Sequence, residues 1–171
     1  MKSIGDAVIT TDAFAKIKYL NPVAEKLTGW EKADAKGKPI GEVLRIISET
    51  TCQPVENPVE EALRSGCSVG HAQEYILIAS DNSEIAIDES AAPIYAKNGQ
   101  IVGAVIVFQD VSHKRNMTRQ LSWQATHDTL TRLLNRSEFE RRLQEVLHSK
   151  KENQQHALYY LDLDQFTAIF R

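Results

Sequence analysis

Apolar positions divide the 171-residue chain into two β-rich regions, with helical pieces between and after them. The runs Asp6 to Asp12 and Lys16 to Leu20 are short, rich in strand formers and separated by a turn, which predicts a hairpin. Asn21-Pro22 then supplies an N-cap and a proline suited to the first helical position, with Val23, Ala24 and Leu27 on the helix and Gly29 stopping it. Asn57-Pro58 repeats this signal for a helix through Val59, Ala62 and Leu63 to Gly66. Gly37, Pro39 and Gly41 punctuate the stretch between, so Lys32 to Ile47 reads as short helical turns.

The second β region holds three predicted strands. Glu74 to Ala79 and Glu84 to Ile94 flank the turn Asp81-Asn82-Ser83, and Asn98-Gly99 marks a tight hairpin into Ile101 to Gln109. Two strands, helices and three strands suit an α+β domain of about 110 residues, with a five-stranded antiparallel sheet carrying short helices on one face. On the last strand Ala104, Ile106 and Phe108 face the helices, with Leu44, Ile46, Ile47 and Leu63 opposite. Val105 and Val107 face the other way, so both faces are apolar, and a flanking helix or a second copy of the chain is expected on the outer one. Burying each valine contributes about 1.5 to 3 kcal/mol.

After Asp110-Val111-Ser112 the pattern becomes helical. Ser112 is the expected N-cap, and Met117, Leu121 and Ala125 form a stripe at i, i+4 and i+8. The stripe suits a coiled coil or a helix lying on its own domain equally well. Ser137 and Glu140 form a capping box for a further helix that buries Phe139, Leu143, Val146 and Leu147. A strand over Ala157 to Leu161 follows. It places Asp162 and Asp164 on one face, either as solvated strand-end carboxylates or as a Mg²⁺ site.

Apolar residues at 42%, charged residues at 25% and a net charge of −3 are those of a globular domain without general attraction for nucleic acid or membranes. No apolar run approaches the roughly 20 residues that span a bilayer, and the start lacks a signal-peptide core, so a cytoplasmic location is expected. Cys52 and Cys67 are expected as idle thiols. His71, His113, His127, His148 and His156 show no spacing for a zinc site.

Several stretches resemble a PAS domain of the kind that precedes cyclic-di-GMP enzymes: Ser3 to Ile9, Tyr19-Leu20-Asn21-Pro22-Val23-Ala24-Glu25, Leu27-Thr28-Gly29-Trp30, Ser90-Ala91-Ala92-Pro93-Ile94 and the exit Asp110-Val111-Ser112. Ala15 departs from the glycine usual in the first turn. His127-Asp128-Thr129-Leu130-Thr131, Leu134-Asn135-Arg136 and Tyr160 to Phe166 are similar to the start of a GGDEF domain, the diguanylate cyclase fold. The resemblance implies a sensor over residues 1–111, a signalling helix over 112–126 and a truncated GGDEF start over 127–171. It makes Asp162, helped by the carbonyl of Leu163, the family's Mg²⁺ holder. Thr167 and Phe170 depart from the family's lysine and guanine-contacting asparagine. The GG[DE]EF loop does not occur in the sequence, so Mg²⁺ and GTP belong to an intact parent, either a cyclase or a phosphodiesterase, and this chain by itself is not expected to be an enzyme.

A PAS interior either binds a small molecule or is simply filled. No Asn-Cys-Arg context exists for a covalently linked flavin, and Pro58 to Gly66 offers no histidine for haem. Non-covalent flavin beside Tyr19 or Trp30 stays open. The family also implies that Asp110 pairs with Lys114 or Arg115, so that Asp110, Val111 and Ser112 relay a signal into the helix. A homodimer through the outer sheet face and that helix is expected, as is a ligand-free scaffold on the opposing reading.

Overall fold

Both predicted asparagine caps tie a helix to backbone 13 to 15 residues earlier in the chain. Asn21 Oδ1 accepts from the amides of Ala24 (2.9 Å) and Val8 (3.0 Å), while its Nδ2 donates to the Asp6 carbonyl at 2.9 Å. Asn57 Oδ1 accepts from the Val59 amide at 3.0 Å and its Nδ2 donates to the Leu44 carbonyl at 3.1 Å. Each side chain thus satisfies an orphan helix amide together with further backbone groups, two for Asn21 and one for Asn57.

A computed structural model describes residues 5–70, 74–148, 157–159 and 161. The chain divides into two units, Met1–Leu121 and Ser122–Arg171. The first contains β1 (Ala7–Thr11), β2 (Ile17–Leu20), α1 (Pro22–Thr28), α2 (Lys32–Ala35), α3 (Ile40–Val43), β3 (Arg45–Ser48), α4 (Pro58–Ser65), β4 (Val69–Gly70), β5 (Tyr75–Ile78), β6 (Glu84–Tyr95) and β7 (Ile101–Asp110). The next helix, α5 (Ser112–Thr126), starts in this unit and ends in the second, where α6 (Arg136–His148) follows.

The sheet runs β2-β1-β7-β6-β5-β3, antiparallel throughout, with β4 also paired to β6. The fold is α+β, as expected, but the five predicted strands become seven among the described residues. The stretch predicted as helical turns is helical only through α2 and α3. From Arg45 it is strand β3, which pairs Ile46 with Leu77 and Ile47 with Ile76 and so satisfies the outer edge of β5. The core lies between one sheet face and the short helices, with Ile9, Leu20, Ile40, Leu44, Val59, Leu77, Ile87, Ile106 and Phe108 all buried.

The first turn does bend on a non-glycine residue. Ala15 takes the left-handed conformation at φ 58°. Asp12 Oδ1 accepts from the amides of Phe14 and Lys16, both at 2.9 Å, and compensates part of that cost. These bonds, that from Lys16 foremost, hold the Asp12 carboxyl below its ordinary range.

In the second unit the predicted cap is displaced by two residues. Asn135 Oδ1 accepts from the Glu138 amide at 2.9 Å, so Ser137 already lies inside α6 and Glu140 pairs instead with Arg136 at 2.7 Å. Phe139, Val146 and Leu147 are exposed rather than buried, and Leu143 is half-buried. They border an open hollow of about 510 Å³ to which Ala157 and Leu158 contribute. Residues 157–159 and 161 form no strand, and Tyr160, within the predicted strand, lies outside the described residues. Asp162, Leu163, Asp164, Thr167 and Phe170 lie outside the described residues.

Candidate functional site

Alternation along β7 sends Ala104, Ile106 and Phe108 inward, each at most 1% exposed. Leu44 and Ile46 are buried in the same cluster, and Leu63 packs against it. Ile47 is half-buried. Leu44, Ile46 and Ile47 also border a cleft of about 420 Å³, closed on its other side by Val55, Asn57 and Glu60. The two aromatic candidates lie elsewhere. Tyr19 is exposed, with Lys32 Nζ 4.8 Å from its ring centroid. Trp30 is half-buried at the rim of the core, with Lys38 Nζ 5.1 Å from its ring centroid.

Sequence reasoning passed over a carboxylate on the inner face. Glu89 is buried on β6, in register with Phe108. The alternation Ile87, Glu89, Ala91 would have placed it there. Tyr75 on β5 is also buried, and burial first, then the nearby charge of Glu89, pushes its phenol up.

The exit from the sheet is built from four residues and two strands. Val111 is buried and its amide donates to the Ala86 carbonyl at 2.9 Å, while the Ala86 amide donates to Ser112 Oγ at 3.1 Å. Asp110 Oδ1 accepts from the Ser112 amide at 2.8 Å. Asp110, not Ser112, therefore caps α5, and the Ser112 hydroxyl is turned to the sheet.

Arg115 does not pair with Asp110, whose carboxylate is engaged at the cap; nor does Lys114, among the described residues. One turn into α5, Arg115 reaches over the ends of β5 and β6. Its Nη1 donates to Glu49 Oε2 at 2.9 Å and to the Tyr75 carbonyl at 3.3 Å, and its Nη2 donates to the Ile87 carbonyl at 2.9 Å. Arg119 Nη2 takes the other Glu49 oxygen at 2.5 Å. Hydrogen bonding from Arg119, above all, and the charges of both arginines hold the Glu49 carboxyl below its ordinary value. Glu49 directly follows β3, 66 residues from Arg115, and no local pattern announces the pair.

On the outer face, Val107 lies between Val8 and Ser90, and Val105 between Thr10 and Ala92. Val107 is 37% exposed and Val105 half-buried. The α5 stripe is also open, with Met117 and Leu121 exposed at 50% and 63%. No helix among the described residues is long and apolar enough to cross a membrane.

Residues 1–111 match the family described as PAS fold, and residues 125–170 match the family described as diguanylate cyclase, GGDEF domain. The chain is 38% identical over 170 residues to the probable diguanylate cyclase DgcE of Escherichia coli, covering 99% of this chain and 15% of that protein. It is 30% identical over 169 residues to the cyclic di-GMP phosphodiesterase PdeB of Shewanella oneidensis, covering 99% of this chain and 19% of that protein. The chain thus spans less than a fifth of either relative's length. Among solved structures, a PAS domain from Colwellia psychrerythraea superimposes with a TM-score of 0.53 at 26% identity, over 64% of this chain and 89% of that one.

Proposed function

The chain belongs to the PAS family, and from that premise we propose that residues 1–111 sense a small ligand or partner and pass the signal along α5 to a GGDEF output domain of cyclic-di-GMP signalling in the cytoplasm. The fastening of α5 carries this reading. The helix leading to the GGDEF-like segment is bound at its first two turns to residues that follow or belong to β3, β5 and β6. A change in the sheet therefore acts directly on the helix.

The sequence contains no Gly-Gly-Asp/Glu-Glu-Phe stretch, so the 171-residue chain is expected to make no cyclic-di-GMP from GTP and Mg²⁺. In a version continued through a complete GGDEF domain, Arg115→Ala is expected to change cyclic-di-GMP output severalfold. Unchanged output would sink the relay. The similarity to a phosphodiesterase favours a second reading of the same sensor, upstream of a composite output.

We propose the cleft beside β3 as the place for any small ligand, since Leu44, Ile46 and Ile47 border it while Ile106 and Phe108 are buried in the core. The absorbance spectrum of the purified chain tests whether that ligand is a flavin. A filled interior equally suits a ligand-free scaffold, for which a featureless spectrum and a bare protein mass are expected.

A further inference from the structure

The start of α5 is unfavourable by itself. Its first turn carries Lys114 and Arg115 and no acidic residue, although the amino end of a helix bears partial positive charge. The Asp110 carboxylate at the cap offsets part of this, and a second anion comes from across the sheet. Glu49 offers one oxygen to Arg115 and the other to Arg119, and its own amide donates to the Glu74 carbonyl at 3.0 Å.

Two attachments with different strengths result. At Asp110-Val111-Ser112, α5 is joined to Ala86 by backbone and hydroxyl bonds and by the buried Val111. Beyond that pivot the side chains of α5 hold it: both arginines meet at Glu49, Arg115 also reaches the Tyr75 and Ile87 carbonyls, and Arg119 lies 3.9 Å from the Glu74 carboxylate. Glu49 follows β3, the last strand of the sheet, two residues after Ile47 on the wall of the cleft. On its outer side β3 meets, among the described residues, only the loop at residues 53–55, through the Ser48 amide to the Gln53 carbonyl at 3.0 Å and the Val55 amide to the Ile46 carbonyl at 3.3 Å. Such peripheral segments open locally more readily than the centre of a sheet.

We infer that Glu49 is a release latch for the linker helix: paired with Arg115 and Arg119 it holds the second turn of α5 on the sheet, and displaced with β3 it frees the helix beyond Arg115, which the carbonyls of Tyr75 and Ile87 still hold. This deepens the sensory reading and rests on it.

The test is amide hydrogen exchange, read by mass spectrometry on the 171-residue chain, in wild type, Glu49→Gln and Arg119→Gln. Arg119 is 58% exposed on its side chain, so its replacement leaves the domain folded. Both variants are expected to speed exchange over residues 115–121 on the order of tenfold, as for a local opening, with β1 and β7 unchanged. Wild-type rates over 115–121 in both variants would overturn the latch and leave the sensory reading intact. Faster exchange in β1 and β7 as well would overturn it too, because Glu49 would then be a general support of the sheet. Exchange over 115–121 that is already unprotected in wild type would overturn the relay reading itself.

Discussion

Ala15 and Gly103 show opposite demands on a single Cβ. Ala15 carries one in the left-handed region, which costs about 1 to 2 kcal/mol for an L-residue. Ala15→Gly removes that strain but loosens the unfolded chain, so a net gain of roughly 0.5 to 1 kcal/mol is expected in urea unfolding. The departure from the family's glycine is thus visible in the sequence and has a structural cost. Gly103 is the reverse case. A Cβ there would stand 2.1 Å from the Thr11 carbonyl oxygen, a backbone atom that cannot rotate away. Gly103→Ala is expected to cost about 2 to 4 kcal/mol by forcing the strands apart, and the same unfolding series measures it. Glu89 was legible from period-two alternation, whereas Glu49 was not, because its partners are set by tertiary approach alone.

Among the elements, those with local start and stop signals were readable and those defined by a distant partner were not. Asn21, Asn57 and Asn98-Gly99 set α1, α4 and the β6–β7 hairpin as predicted. Strand β3 escaped because four residues following the stretch broken by Gly37, Pro39 and Gly41 are too few to show a period, and only pairing with β5 makes them a strand. The start of α6 was misread in the same way, since Ser137 and Glu140 have the spacing of a cap while Asn135 makes the bonds. That helix makes a pH prediction. Glu138 lies between Arg141 and Arg142, and hydrogen bonds from Arg141 first and Arg142 second lower its carboxyl from the ordinary 4.5 to about 2. A carboxyl depressed by folding stabilises above its unfolded value and loses that contribution as pH falls through the folded one. NMR titration of Glu138 is therefore expected to show a midpoint near 2. A midpoint at 4.5 would mean the arginines do not hold it.

At the scale of the whole molecule, one of the apolar surfaces that the described residues leave partly open lies around the half-buried Val105 and the exposed Val107 on the outer sheet face. We propose that a second copy covers it, as the two-sided apolar pattern of β7 suggested. Val107→Asp puts a charge into that contact without entering the core. It is expected to weaken association about a hundredfold, the effect of an unpaired buried charge. Light scattering across a concentration series checks this, and equal masses for both proteins at every concentration would remove the outer face as the contact.

The reach of Arg115 and Arg119 back to Glu49 also changes where this sensor ends for anyone splicing it to another output. Residues 1–111 match the PAS family, but a junction cut after Val111 would strand Glu49 and the carbonyls of Tyr75 and Ile87 without their donors. A transplantable unit runs at least to Arg119, and any host helix grafted closer must bring two arginines in the same register.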